Sequence, residues 1–466
     1  MNDRPVSSRD AVTALWSDAG LDAAALQRLT LDGREPVLPS SFAVGTAAQA
    51  GIAAAALAAS EVGRERGGPA RAVRVDMRAA AIECTGRFSI DGRVPEPWDP
   101  LSGLYRCRDG FVRIHANFAH HRDGALRLLG LAPAPAAARA TVEAATADRS
   151  AFELEDAAAE AGLVIAALRS FDEWDAHPQA RALAAAPLID WQRIGDAPPR
   201  ALPVPACGAR PLAGLRVLDL TRILAGPTCG RALAAYGADV MLVNSPALPN
   251  IESIIDTSRG KLSCHIDLHD ADGRAALRAL LHDSAVFVQG YRPGGLAALG
   301  FGPDDAAAVR PGIVYVSLSA YGHDGPWAAR RGFDSLVQTA TGFNDAEQHA
   351  AGASSPKAMP AQILDYTTGF LMAFAAQAAV LRQAREGGSW HLRLSLARTA
   401  QWLRSLGRVA GGFEAVKPDP EAYMQDFPSA WGRLRALRHA GELQDLPAVP
   451  DRPSVPPGTD APRWPA

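Results

Sequence analysis

The residue with the clearest chemical potential is Asp334, in the run Gly332-Phe333-Asp334 that closes a polar loop and opens a helical stretch. A carboxylate there has two readings. It can cap the helix by accepting a backbone N–H bond. It can also attack an acyl thioester, release the thiolate and hold the acyl group as an anhydride. A helix N-terminus keeps such a carboxylate ionised at neutral pH. A second suggestive feature is the turn at 221–227 (TRILAGP), set between the apolar run 215–220 (LRVLDL) and a helical stretch, 228–236. A strand, turn and helix in that order aim free backbone N–H groups at an anion such as phosphate. The turn is not GxGxxG, and Asn244 stands where a dinucleotide site wants an acid, so a nicotinamide oxidoreductase is disfavoured. His323, in the loop before Asp334, reads either as a proton shuttle or as a loop histidine bonded to backbone. Asp365 reads as a structural cap, and the pair His120-His121 lacks further ligands at metal-binding spacing, so no metal is expected.

The elements that must hold these residues follow from patterning. After 215–220, further apolar runs at 239–243, 265–268, 285–289 and 313–318 alternate with helical stretches. Short apolar runs spaced by helices predict a doubly wound parallel sheet, a Rossmann-like α/β fold. Two long helices are expected at 43–66 and 362–385. The first is stopped by Gly67-Gly68-Pro69 and followed by a strand at 73–77. Alternation at 111–115 and a helix at 152–161 predict a smaller α+β domain. The proline-rich stretch 197–210 reads as a linker. The expected divisions are an irregular arm (1–40), a helical connecting segment (41–95), a small α+β domain with linker (96–205), a Rossmann-like domain (206–405) and a proline-rich wrapping tail (406–466). Residues 63–78 and 381–396 also echo each other as helix, Gly-Gly, strand, which suggests a tandem duplication whose copies lost opposite ends.

The segment 211–244, PLAGLRVLDLTRILAGPTCGRALAAYGADVMLVN, resembles the opening of the large domain in class III CoA-transferases, the family of formyl-CoA and carnitine-CoA transferases. Four more blocks follow in the family's order. They are Arg259-Gly260-Lys261, the loop Gln289-Gly290-Tyr291-Arg292-Pro293-Gly294, the stretch 314–326, and Gly332-Phe333-Asp334 with Gln338 to Gly342. The N-terminal half resembles the family's small domain at 99–131 and 187–206, so the two halves stand in swapped order. The resemblance implies a CoA-transferase with Asp334 as covalent nucleophile. It implies CoA contacts at Leu224, Ala225, Lys261, Gly290, Tyr291, Arg292, Tyr321 and Gly322, with the oxyanion held near Tyr321-Gly322 or Gly103. It also implies acyl-CoA and a small carboxylic acid as partners, CoA as an exchangeable co-substrate rather than a tightly bound cofactor, and a homodimer, interlocked as in the family. The alternatives within the resemblance are an α-methylacyl-CoA racemase using Asp334 and His323, and a degenerate CoA-binding protein without catalysis. Asn244-Ser245-Pro246, Leu262 and Gly290 depart from the family's pattern.

Bulk composition sets the remaining bounds. The 466 residues carry a net charge of −3, which argues against a general nucleic-acid binder. Hydrophobic residues make up 48% and charged residues 21%, as in an ordinary globular chain. Five cysteines without a CxxC pair suit a reducing compartment, so a cytoplasmic location is expected. The first 21 residues lack a signal-like apolar run, and the alanine-rich stretch 47–59 is too short to span a bilayer, so no membrane is expected.

Overall fold

The structure, a computed structural model, describes residues 5–133, 138–206 and 208–465. The chain opens with α1 (Ser8–Asp18), β1 (Leu29–Asp32), α2 (Val44–Glu65), β2 (Val73–Asp76), α3 (Met77–Glu83) and β3 (Phe88–Ile90). The next part holds β4 (Gly103–Cys107), β5 (Gly110–Ile114), α4 (Ala119–Leu128), α5 (Arg139–Ala147), α6 (Ala151–Glu160), β6 (Ile165–Ala167), α7 (Phe171–Ala176), α8 (Pro178–Ala184) and β7 (Asp190–Gly195). Then come β8 (Arg216–Leu220), α9 (Ala225–Ala235), β9 (Asp239–Asn244), α10 (Ile254–Thr257), β10 (Lys261–His265), α11 (Ala271–His282), β11 (Val286–Gln289), α12 (Pro303–Val309) and β12 (Val314–Ser319). The chain ends with α13 (Asp334–Ala340), α14 (Phe343–Ala350), α15 (Ile363–Glu386), β13 (Ser389–Ser395), α16 (Leu396–Ser405), β14 (Met424–Phe427), β15 (Leu434–Leu437) and β16 (Glu442–Leu443).

The central sheet has seven strands in the order β10-β9-β8-β11-β12-β13-β7. All neighbours pair parallel except the edge strand β7, which runs antiparallel to β13. The chain order reverses between β8 and β11. In doubly wound sheets ligands bind at that crevice, beyond the carboxyl ends of the strands. The expected α/β architecture is therefore present. β4, β5 and β6 form a separate antiparallel sheet with its own apolar cluster around Tyr105, Val112, Ile114 and Leu154.

Three sequence expectations change. Residues 1–40 are not an irregular arm: Ser7 caps α1 by accepting the Asp10 N–H, and β1 pairs parallel with β2. Val12, Leu15 and Trp16 bury in the main core, and Trp16 stacks on Phe374 at 5.9 Å. The strand expected at 265–268 lies at Lys261–His265 instead. A lysine heading a buried strand looks like a break until its charge is seen to be neutralised by Asp219 on β8, two strands away. The tail does wrap, but around its own chain: β14 and β15 join β3, and β16 joins β2. Cys84, Cys107, Cys229 and Cys264 are free and buried, and Cys207 lies outside the described residues.

α15 is long and apolar enough to cross a membrane, yet its apolar window is 100% buried within the protein. It packs on α2 and α9. Gly369 makes the second contact possible, because a Cβ there would stand 2.4 Å from the Ala225 carbonyl oxygen. Gly369→Ala is expected to push α15 away from α9 and cost about 1–3 kcal/mol, read as a lower denaturant midpoint.

Candidate active site

A cleft of about 380 Å³ opens at the reversal point of the central sheet. One wall is the end of β8 and the turn into α9, contributing Arg222, Ile223, Leu224 and Ala225. Ile223 holds φ at 77°, a left-handed conformation that a β-branched residue rarely adopts. Such strain concentrates at ligand-binding turns. Leu224 precedes the first turn of α9 without a side-chain cap, so the early amides of that helix have no intrahelical acceptor. A second wall is the loop after β11, with Gly290, Tyr291 and Arg292. A third is Arg330, Arg331, Gly332 and Phe333, and the small sheet's side supplies Phe118, His120 and His121. Four arginines line the cleft against one acid, Asp365, which suits an anionic ligand.

Asp334 sits immediately behind this lining and is 0% exposed. It is the first residue of α13, but its side chain does not cap that helix. Oδ2 accepts the Asp365 N–H at 2.9 Å, and Oδ1 accepts from Gln338 Nε2 at 2.5 Å. The Leu364 N–H also reaches the carboxylate. The carboxylate thus caps the first turn of α15, where amides and helix dipole both favour negative charge. Burial nevertheless outweighs these bonds and pushes Asp334 up to about 6. Asp365 is pushed well above the carboxylate range, first by burial and then by the charge of Asp334. Two neighbouring carboxyls with separated affinities hold one proton near neutrality, with Asp334 ionised and Asp365 protonated.

The sequence-derived candidates divide into two groups. Leu224, Ala225, Gly290, Tyr291 and Arg292 come together around the cleft. Lys261 does not join them, which corrects its expected place near a phosphate. Its Nζ is fully buried and donates to Asp219 Oδ2 and the Pro227 carbonyl, both at 2.8 Å. Tyr321 also points away: it is buried edge-on against Trp327 at 4.9 Å. Gly322 and His323 line a different, smaller cleft with Asp190 and Arg393, and His323 Nε2 bonds the Leu394 carbonyl. His323 is therefore not paired with Asp334. Gly103 faces Arg139 in β4 rather than the cleft.

The sequence reading gives Asp365 only the role of a structural cap and gives Phe333 and Arg113 none, yet the fold brings all three to Asp334. Asp365 lines the cleft. Phe333, next to Asp334 in the chain, lines the cleft and stacks on His115 at 4.0 Å and 11°. Arg113 lies close enough to lower the carboxylate's proton affinity. The sequence signal for the last was present: Arg113 and His115 alternate with Val112 and Ile114, so they share one face of β5.

A family model described as CoA-transferase family III matches residues 13–207 and again 212–408. The chain belongs to CoA-transferase family III. Among curated relatives, acetyl-coenzyme A transferase nodX of Hypoxylon pulicicidum is 38% identical over 209 residues, 44% of this chain and 35% of that protein. The probable fatty acyl-CoA transferase Rv3272 of Mycobacterium tuberculosis is 31% identical over 234 residues, 46% of this chain and 59% of that one. The succinate–glutarate CoA-transferase of Agrobacterium fabrum is 32% identical over 205 residues, 40% of this chain and 51% of that one. The chain thus spans roughly a third to three-fifths of the length of these relatives. The solved structure of Rv3272 in its orthorhombic form aligns with a TM-score of 0.39 at 31% identity, over 42% of this chain and 58% of that one.

Proposed function

We propose that this family III protein moves CoA from an acyl-CoA thioester to a carboxylic acid through covalent intermediates on Asp334. The observation that carries this reading is an ionisable carboxylate, held by the first-turn amides of α15, directly behind the wall of an arginine-lined cleft at the sheet's reversal point. An Asp334 oxygen attacks the thioester carbonyl, the C–S bond breaks, and CoA thiolate leaves behind a mixed anhydride. The thiolate then attacks the aspartyl carbon, releasing the donor acid and forming an aspartyl-CoA thioester. The acceptor carboxylate attacks that thioester, and the returning thiolate takes the new acyl group and restores Asp334. Phe333, which lines the cleft next to Asp334 in the chain, moves aside for the first attack.

Arg222 and Arg292, with the open amides of α9, suit the phosphates of CoA, which enters and leaves as a co-substrate. Arg292→Ala is expected to raise KM for acyl-CoA roughly tenfold, as the loss of one charge-assisted contact implies. The effect shrinks as salt increases, so initial rates at two ionic strengths check it. Asp365, protonated beside Asp334, suits hydrogen bonding to the developing oxyanion. The expected pH profile follows from the signs. kcat/KM rises as Asp334 loses its proton near pH about 6 and falls when Asp365 ionises at higher pH. Asp365→Asn should keep the acidic limb and lose the alkaline one.

Transfer is tested by supplying acyl-CoA with and without a second acid. CoA moving to the added acid supports it. Solvent deuterium entering the acyl α-carbon without a second acid identifies racemase chemistry instead. The position of His323 on the Leu394 carbonyl does not favour the latter. A homodimer and its interlocking remain part of the proposal on the family resemblance, and a cytoplasmic location on the cysteine pattern. The swapped order of halves draws support from the matching α2–β2–α3 and α15–β13–α16 units, each with two glycines or a Gly-Gly-Pro turn between helix and strand.

A further inference from the structure

β5 belongs to the small antiparallel sheet, and its side chains alternate in role. Val112 and Ile114 fill that sheet's own core, while Arg113 and His115 project from the other face. α13, which begins at Asp334, packs across β5 and β6 on the face where Ala166, the cross-strand neighbour of Arg113, joins the main core. Arg113 is therefore 7% exposed and His115 5% exposed, beside the proposed nucleophile rather than at the surface.

Neither side chain is satisfied there. Among the described residues, Arg113 makes no ion pair, and its buried Nε has no hydrogen-bond partner. Its guanidinium lies 5.1 Å from the Trp98 ring centroid. His115 Nδ1 and His121 Nδ1 are likewise buried and unpartnered, and burial holds both histidines neutral, at about 3 and about 4. Leaving a buried polar group without a partner costs about 1–3 kcal/mol, and more for a charged one. Three such atoms, on His115 and His121 packed against the Phe333 ring and on Arg113 near Asp334, with His121 also lining the cleft, mark a polar subsite.

The reaction proposed above creates the need for it. An anionic acceptor carboxylate must enter a dry site to attack the neutral aspartyl-CoA thioester, and burying its charge there without a partner is costly. Arg113 is not among the arginines lining the cleft but is buried close enough to Asp334 to lower its proton affinity, and a guanidinium fork matches a carboxylate with two parallel hydrogen bonds. We infer that Arg113, flanked by His115 and His121, forms the subsite that holds a carboxylate of the acid substrate against Asp334. The inference rests on the CoA-transfer reading and names the group that binds the second substrate.

Succinate and acetate serve as probes, by calorimetry on the intact protein and as acceptors with acetyl-CoA as donor. Arg113→Gln should weaken succinate binding and raise the KM for acid at least about tenfold, with acetyl-CoA half-reaction rates changed much less. Arg113→Lys, which keeps the charge without the fork, should recover part of the loss. It also serves if the Gln variant fails to fold, as judged by thermal unfolding. Loss with both acids places the reacting carboxylate at Arg113, and loss with succinate alone places a distal carboxylate there. Unchanged acid binding and KM in both variants overturns the subsite while leaving CoA transfer standing. So does an equal loss in the half-reaction, which would make Arg113 a positioning residue for Asp334. A wild-type protein that binds succinate through Arg113 yet transfers no CoA would sink the transfer reading and keep the subsite.

Discussion

Asp334→Asn is expected to reduce CoA transfer by roughly 10⁴-fold or more, the scale seen when a covalent nucleophile is removed. The substitution keeps the shape of the side chain and one accepting oxygen, so either the Asp365 N–H or the Gln338 amide keeps its acceptor while the other meets an NH2. It removes the nucleophilic carboxylate without touching the cleft's arginines, so acyl-CoA binding should stay near normal. Stability should move the other way. The folded-state proton affinity of Asp334 is raised, so its stabilising contribution is full below the unfolded carboxylate range and is lost as pH rises through about 6. At pH about 8 the wild type therefore carries a buried charge that the Asn variant lacks. The variant's stability relative to the wild type should rise by about 1–2 kcal/mol between pH about 5 and pH about 8. A dead variant that is more stable at alkaline pH would be the pattern of an active-site group kept at a cost to the fold. Equal loss of activity and stability would point to a cap alone.

Lys261→Met is expected to be the most destabilising single change among the candidate residues, by about 3–5 kcal/mol. Lys261 and Asp219 are both 0% exposed and 2.8 Å apart. Removing the cation leaves a carboxylate buried between β8 and α9 with only the Thr221 hydroxyl, at 2.5 Å, as side-chain partner. Asp219→Asn in the same chain should recover much of the loss, because the uncompensated charge is gone. Denaturant midpoints of the two single variants and the double variant give the coupling directly. A Lys261 variant with normal stability and weakened acyl-CoA binding would instead restore the phosphate role that its place after Arg259-Gly260 suggests.

Lys261 also marks where sequence reading stops. Its motif position was legible, but its partner was not. Asp219 lies 42 residues earlier on a strand that is not next to Lys261 in the chain, and only the order β10-β9-β8 brings β8 within reach. Asp334 was legible as a special carboxylate because Gly332-Phe333-Asp334 and Gln338 keep fixed spacing. That it caps α15 rather than its own helix depends on a contact with Leu364 and Asp365 that spacing does not encode. The parallel strands were readable as apolar runs because both faces of a doubly wound sheet are covered. The N-terminal residues misled because α1 is short and mixed, and what orders it is the tertiary surface of α2 and α15 rather than its own propensity. Arg113 alternates with the core-facing Val112 and Ile114, and only the docking of α13 turns its face inward.

The most direct test uses the protein, one acyl-CoA and hydroxylamine, without any acceptor acid. Hydroxylamine cleaves activated carboxyl derivatives, so an acyl or CoA ester on Asp334 becomes an aspartyl hydroxamate that peptide mass spectrometry locates. Transfer through Asp334 predicts that mark on the peptide containing Gly332-Phe333-Asp334, dependent on acyl-CoA and absent in Asp334→Asn. Acid-dependent turnover with an unmarked Asp334, or with the mark on another side chain, would contradict it.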